Sequence, residues 1–320
     1  MNAFIKKIIT NGYGLIDYVP VGIDHITEKS FLQVGENSCV EVTDQQFTLA
    51  YNPLVIGINM NPQLYDLVRN ERHIVKLWFI DTASSKKISE LYLKHYKIPN
   101  EWDRHHGLLV LFHASYAANY QLGWIRRSII LGIRYWSNKK AKKYFGTLSF
   151  GLHKQYAAQF SFPRKVVLAA VKDGDFYQLF PIDLHGTLHD QNICAWGIRH
   201  SNKAIPHLIN SKKVVIADVP YTSFKAIYSL GNFSTNKEIG EKDSAKISTR
   251  TWQFMLPDFV LSYKEIELVH YEDIGSQCLF WGRVIHEETV VSGKALHHVH
   301  FLRFLQLQSQ DKIQYVTNYK

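Results

Sequence analysis

The sequence predicts an α+β protein whose C-terminal half is dominated by antiparallel strands. Three observations lead there. Two apolar runs, 166–171 (VVLAAV) and 176–180 (FYQLF), flank the turn Lys172-Asp173-Gly174-Asp175, and Asp-Gly between apolar runs is the strongest short hairpin signal. A strand at 192–198 (NICAWGI), a short helix at 204–209 and a strand at 214–219 (VVIADV) follow in close succession. Earlier, 115–145 has helical character, with Trp124, Ile125, Ile129, Ile133 and Trp136 along one side.

Taken in order, 4–18 is a lead-in that ends before Pro20. Strands are expected at 39–42, 47–51 and 55–60, separated by Asp44-Gln45 and Asn52-Pro53. A helical turn at 63–70 precedes a strand at 73–80 (HIVKLWFI). The polar run 81–85 resembles an N-cap, and a helix to about Tyr96 would place Ile88, Leu91, Tyr92 and His95 on one face. Residues 108–112 (LLVLF) form a buried strand or a helix start. The second hairpin strand stops at Pro181, which has no N–H for a ladder. The charged segment 235–250 reads as a loop, 266–271 and 278–288 as closing strands, and 295–307 as a final strand. No internal repeat is legible.

Composition narrows the function classes. An apolar fraction of 46% with frequent aromatics describes a globular chain, not a disordered one. The three cysteines, Cys39, Cys194 and Cys278, are too scattered for a metal motif or a disulfide framework, so a reducing, cytoplasmic setting is expected. No run reaches the ~18 apolar residues of a membrane span, and the first ten residues lack the pattern of a signal peptide. The net charge of +9 favours anionic partners without choosing among nucleotides, nucleic acid and acidic lipid. Gly-x-Gly-x-x-Gly, Walker and Gly-x-Ser-x-Gly motifs are missing from the sequence.

The segment Arg199-His200-Ser201-Asn202-Lys203 joins a strand to a helix. Ser201 or Asn202 can cap that helix, so its free N–H groups would face an anion, with Arg199 and Lys203 adding charge. An ordinary capped surface turn explains the same residues. Asp183, alone in an apolar turn, fits an Asx-turn. His297, His298 and His300 alternate on the expected last strand; a metal site there is not favoured, because no second ligand pair lies nearby. His185 and His189 are either ligand-facing or ordinary loop residues.

The ordered set FPIDLHG, IRHSNKA, VP, Tyr228-Ser229-Leu230-Gly231 and the 274–284 segment IGSQCLFWGRV resembles the flavin reductase-like family, the FMN-binding split barrels. The resemblance covers about 160–304. It implies a C-terminal antiparallel split β-barrel at 151–320, preceded by an N-terminal α+β region at 1–150 of unassigned role. It further implies that Pro181, Ile182, Asp183 and Leu184 meet the flavin ring, and that Arg199, Ser201, Asn202 and Lys203 hold the phosphate. Gly231 and Asn232 would approach from a neighbouring turn, here taken as a mid-domain turn. The implied cofactor is FMN or FAD, the implied donor NAD(P)H, and the implied assembly a homodimer with flavin at the interface. Two departures stand out: Phe180-Pro181-Ile182-Asp183 replaces a loop with Asn and Thr, and Gln277 replaces a histidine in the closing strand. A triad or paired catalytic carboxylates are not expected, since the flavin itself carries the hydride step.

Two other readings remain open. One is a non-catalytic flavin- or haem-binding module with a partner-binding N-terminal half. The other is a nucleic-acid or membrane-surface protein acting through the basic stretch that includes Arg126, Arg127, Arg134, Lys139, Lys140, Lys142 and Lys143. Against the latter stands a domain-packing helix with a solvated cationic end.

Overall fold

The structure is a computed structural model and describes residues 16–36, 38–69, 74–97, 108–140, 149–233 and 246–309. The N-terminal part runs β1 (Tyr18–Ile23), β2 (Glu28–Val34), β3 (Ser38–Glu41), β4 (Gln46–Ala50), β5 (Val55–Met60), α1 (Pro62–Arg69), β6 (Val75–Asp81), β7 (Lys86–Lys97) and β8 (Leu108–Asn119). Helices α2 (Trp124–Lys140) and α3 (Phe150–Gln159) follow. The C-terminal part runs β9 (Arg164–Lys165), β10 (Val167–Asp173), β11 (Phe176–Ile182), β12 (His185–Leu188), β13 (Ile193–Arg199), α4 (Ala204–Ser211) and β14 (Lys213–Asp218). Then come α5 (Phe224–Phe233), β15 (Lys246–Ser248), β16 (Met255–Pro257), β17 (Ser262–Ile274), β18 (Gln277–Thr289), β19 (Ala295–His300) and α6 (Phe301–Ser309).

Two seven-stranded antiparallel sheets dominate. One is ordered β3-β2-β6-β7-β8-β5-β4, the other β11-β10-β14-β17-β18-β13-β12. Consecutive strands β11 and β12 lie on opposite edges of their sheet. Laid flat, those edges would be about 29 Å apart, yet the link 183–184 can span at most about 11 Å. The sheet must therefore curl until its edges approach, which makes it the split barrel expected from the sequence. The link 42–45 between β3 and β4 imposes the same curl on the N-terminal sheet. A three-stranded sheet, β1-β19-β9, ties the two together, with β19 paired to both neighbours.

Burial follows the strand period. Val167, Ala169 and Val171 of β10 face the barrel core with Phe180, Trp196 and Phe280. Leu168 and Ala170 face a second layer with Leu179, Val215 and Ile227. Burial on both faces is why the run VVLAAV is continuously apolar. The Asp-Gly hairpin forms as expected, with Gly174 at φ +58. Cys194 and Cys278 are buried free thiols, and Cys39 is an exposed one.

Several expectations are corrected. The helix expected after 81–85 is the strand β7, and Asp81 instead accepts from Ala83 N–H and Ser84 Oγ in a turn. A bulge opposite Phe79 and Ile80 puts Ile88 on the same core face as Leu91 and Leu93, so three-residue spacing arises inside a strand. Strand β8 occupies 108–119, and the helix expected over 115–145 begins only at Trp124; its tail at 141–148, with Lys142 and Lys143, lies outside the described residues. Pro181 stays within β11, tolerated because β11 is an edge strand. Residues 228–231 lie in α5 instead of a turn. The last strand ends at His300 and α6 takes over, a helix buried nearly all round, in which Phe301, Leu302, Phe304 and Leu305 run together without a strand's alternation. The lead-in at 4–15 and most of the 235–250 loop lie outside the described residues. The two sheets also share one strand order, a repeat the sequence did not display.

Helix α2 reverses the expected packing. Trp124 (70% exposed), Ile125 (57%), Ile129 and Trp136 (58%) face solvent, while Ile130, Leu131, Arg134 and Asn138 are buried. Arg134 and Asn138 bond the Asp17 carboxylate, at 3.1 and 3.0 Å, so polar residues anchor the inner face.

Candidate functional site

The link that closes the C-terminal barrel carries Asp183. Leu184 O accepts from Gly197 N–H at 2.8 Å, and Ile182 and Leu184 are buried, which fixes the link between core anchors. Asp183 turns the other way, toward residues of both halves. Its Oδ1 accepts from Tyr51 Oη at 2.9 Å. Its Oδ2 meets Arg164 Nη1 at 2.9 Å and His298 Nδ1 at 3.0 Å. His298 Nε2 in turn lies 2.6 Å from Tyr228 Oη. A carboxylate at Nδ1 selects the tautomer protonated there, so Nε2 accepts from the Tyr228 hydroxyl. Tyr228, His298 and Asp183 thus form a hydrogen-bonded chain, a constellation not expected from the sequence.

Opposing forces set the charges. Burial would raise the Asp183 carboxyl, but the Arg164 guanidinium, with the bonds from His298 and Tyr51, outweighs it and holds the group far below the usual carboxylate range. Burial would lower Arg164, and the Asp183 charge reverses that too. Burial raises the phenols of Tyr51 and Tyr228. The Arg164 guanidinium carbon sits 3.5 Å from the Phe160 ring centroid and 5.0 Å from that of Tyr18. Its Nε and Nη2 are buried with no hydrogen-bond partner among the described residues.

The cationic turn lies at the end of β13. Asn202 Oδ1 accepts from Ala204 N–H at 2.9 Å, one residue ahead of the N-cap position, which Lys203 fills without a side-chain cap bond in place of the expected Ser201 or Asn202. Arg199, His200, Ser201 and Lys203 are exposed. Tyr51 connects this turn to the Asp183 cluster. Arg199 pairs with Gln277 in the β13–β18 register, and Gln277 Oε1 accepts from Tyr51 N–H at 2.9 Å. Gln277 is 1% exposed and so fastens the two halves.

Of the expected site residues, Asp183 sits at the centre of the cluster and Pro181 beside it on β11. Ile182 and Leu184 point into the core. Gly231 and Asn232 lie in the last turn of α5, one turn beyond Tyr228. Tyr51, Arg164 and Tyr228 were not singled out for a site; they are distant in sequence, and only barrel closure and β19 bring them together. His298 was one of three histidines considered. His297, its neighbour on β19, instead lines a cleft of about 940 Å³ with Lys165, Asp218 and Asp44. Among the described residues, no group of three or more His, Cys, Asp or Glu is placed to hold a metal ion.

The chain matches no protein-family model and no curated protein sequence. Its structure is similar to solved flavin proteins. The flavin reductase component of a bacterial two-component tryptophan halogenase aligns over 52% of this chain and 97% of its own, at 14% identity and TM-score 0.43. An FMN-binding protein from Thermus thermophilus aligns over 42% and 81%, at 17% identity and TM-score 0.39. The styrene monooxygenase flavin reductase of Pseudomonas putida S12 aligns over 51% and 95%, at 12% identity and TM-score 0.38. These likenesses concern the arrangement of strands alone.

Proposed function

We propose that the chain is a flavin-binding redox protein that seats FMN between the Asp183 link and the cationic turn at 199–203, with a reduced nicotinamide as electron donor. The observation that carries this reading is Tyr51, which bonds Asp183 through its hydroxyl and, through its N–H, Gln277, the register partner of Arg199 at the start of the cationic turn. The residues fit the two ends of such a ligand. The start of α4, with Arg199 and Lys203, suits a phosphate. The unpaired Nε and Nη2 of Arg164, beside the rings of Tyr18, Tyr51 and Phe160, suit the polar edge of a flat heterocycle.

When bound, the flavin supplies the hydride chemistry. The protein's part is position and charge. Arg164 provides a fixed cation, and Asp183 keeps it in place. His298, whose imidazole Asp183 orients, holds the Tyr228 hydroxyl at the edge of the cluster. An absorbance scan of purified protein with added FMN tests the reading. Flavin bands bleached by NADH or NADPH are expected; absence of any bound flavin would sink it.

A second reading rests on α2. Trp124, Ile125, Ile129 and Trp136 form an exposed apolar stripe, and Lys139 and Lys140 are exposed beside it. Tryptophan, isoleucine and flanking cations suit an anionic lipid surface. We propose that α2 docks there. Salt-sensitive cosedimentation with anionic vesicles, lost in Trp124→Ser/Trp136→Ser, is the expected result; retention equal to that on neutral vesicles rejects it.

A further inference from the structure

Every strand of the N-terminal sheet has a counterpart in the C-terminal one. The orders β3-β2-β6-β7-β8-β5-β4 and β11-β10-β14-β17-β18-β13-β12 coincide in position across the sheet and in sequence along the chain. Helices α1 and α4 occupy the same step, after β5 and β13. An asparagine side chain accepts from the first turn of each: Asn61 Oδ1 from Leu64 N–H at 2.8 Å, Asn202 Oδ1 from Ala204 N–H at 2.9 Å. The register agrees residue by residue at the centre. Gly57 of β5 lies opposite Leu111, and Gly197 of β13 opposite Leu279. Isoleucine follows each glycine and phenylalanine each leucine. Asp81 and Asp218 end the counterpart strands β6 and β14, and β1 and β9 flank β19 on its two sides.

The interface between the units uses the same patch twice. Val55 and Leu111 pack in one buried cluster with their register counterparts Ala195 and Leu279. Counterpart residues meeting in one core mark an isologous, two-fold interface. The segments beside it have diverged. The connection from β6 to β7 is the short turn 82–85, whereas 219–261 joins β14 to β17 and supplies Tyr228. Asp44 in the N-terminal closing link is exposed, whereas Asp183 is held by Arg164 and His298. The turn before α1, Asn59-Met60-Asn61, has no cation where its counterpart has Arg199 and Lys203.

We infer that the chain is two fused split-barrel units forming an internal pseudo-dimer, with one cleft per chain fit for a phosphate-bearing flavin. That cleft belongs to the C-terminal unit and is completed by Tyr51 of the N-terminal unit. The identity of the ligand rests on the function proposed above; the pairing of units does not. In a homodimer each substitution appears in both clefts, whereas fusion lets one cleft keep its cations while the other loses them. The second unit that a two-fold assembly needs is therefore already present in the chain.

The test combines mass, stoichiometry and a matched pair of variants on the full chain. Light scattering should give the mass of one 37.1 kDa chain. FMN titration should give one equivalent per chain, with an affinity that does not change on dilution of the protein. Asn202→Asp and Asn61→Asp each keep an oxygen that accepts from the first turn of the helix and add one negative charge. Asn202→Asp should weaken FMN binding by about tenfold, and Asn61→Asp should leave it unchanged. A two-chain mass with affinity that falls on dilution overturns the inference. So do two FMN per chain with both variants weakened. If no FMN binds, the proposed function falls and the mass alone decides the pairing: one chain supports it, two overturn it.

Discussion

At Asp183 three donors from three separate strands or loops meet one part-buried carboxylate, and each depends on its charge. Asp183→Asn keeps the shape but leaves Arg164 a buried cation without a counter-charge, an expected cost of about 3–5 kcal/mol. Tyr228→Phe removes one hydroxyl from His298 and should cost about 1 kcal/mol. Urea unfolding of both variants checks this; equal, small losses would mean that Asp183 does not hold Arg164. The buried histidines set a pH dependence. Burial, the largest influence on each, lowers His153 and His297 to about 4 and His300 to about 3. Unfolded histidine titrates near 6.5, so between these values the unfolded chain binds more protons and stability falls as pH falls. By pH 5 each should have cost about 2 kcal/mol relative to neutral pH. Asp183 acts in a separate, lower window: its depressed carboxyl contributes stability above the unfolded value near 3.9, lost only on further acidification. A urea midpoint that stays level from pH 7 to 5 would show that these histidines are not held neutral.

Elements were legible where one local signal sufficed. Asp173-Gly174 specified its hairpin, and the alternation of apolar and polar runs located β13, α4 and β14. Strand β7 was not legible, because the bulge at Ile88 imitates helical spacing and only the neighbouring β6 creates it. The exposed stripe of α2 was misassigned for a related reason: periodicity reports that a helix has two faces, not which one turns inward. Asp17 decides that here, by drawing Arg134 and Asn138 inside. Two glycines separate local from nonlocal demands. Gly174 needs its positive φ but has open space around it, so Gly174→Ala should cost about 1 kcal/mol. A Cβ at Gly197 would lie 2.0 Å from Leu49 O, a backbone atom of the other unit that cannot rotate away. Gly197→Ala should cost about 3 kcal/mol or more. Thermal melts of the two variants, measured side by side, would reverse that order if β4 did not press on β13.

For the whole molecule, the site was half legible and the duplication not at all. The motif resemblance pointed to Asp183 and the 199–203 turn as parts of the proposed site, but Tyr51 and Arg164 reach Asp183 through barrel closure, which no local pattern encodes. The two units keep so few matching residues, and differ so much in the connection after β6 and β14, that only strand order reveals them. Their union makes a prediction about folding. Arg303 on α6 is 0% exposed and bonds Glu28 of β2 at 2.8 Å, with Asp81 of β6 at 3.7 Å. The end of the chain thereby neutralises carboxylates in the N-terminal sheet, and β19 fills the gap between β1 and β9. Without residues 295–309, Glu28 and Asp81 lose their cation and both flanking strands lose their neighbour. The units should therefore unfold together. Hydrogen exchange should give amides of β5 and β8 the same global opening energy as those of β13 and β18. Arg303→Met, which leaves a buried carboxylate uncompensated, should lower both sets alike by about 3–5 kcal/mol. Two distinct opening energies, with only the N-terminal set shifted by Arg303→Met, would instead mean that each barrel folds alone and that the fusion joins independent units.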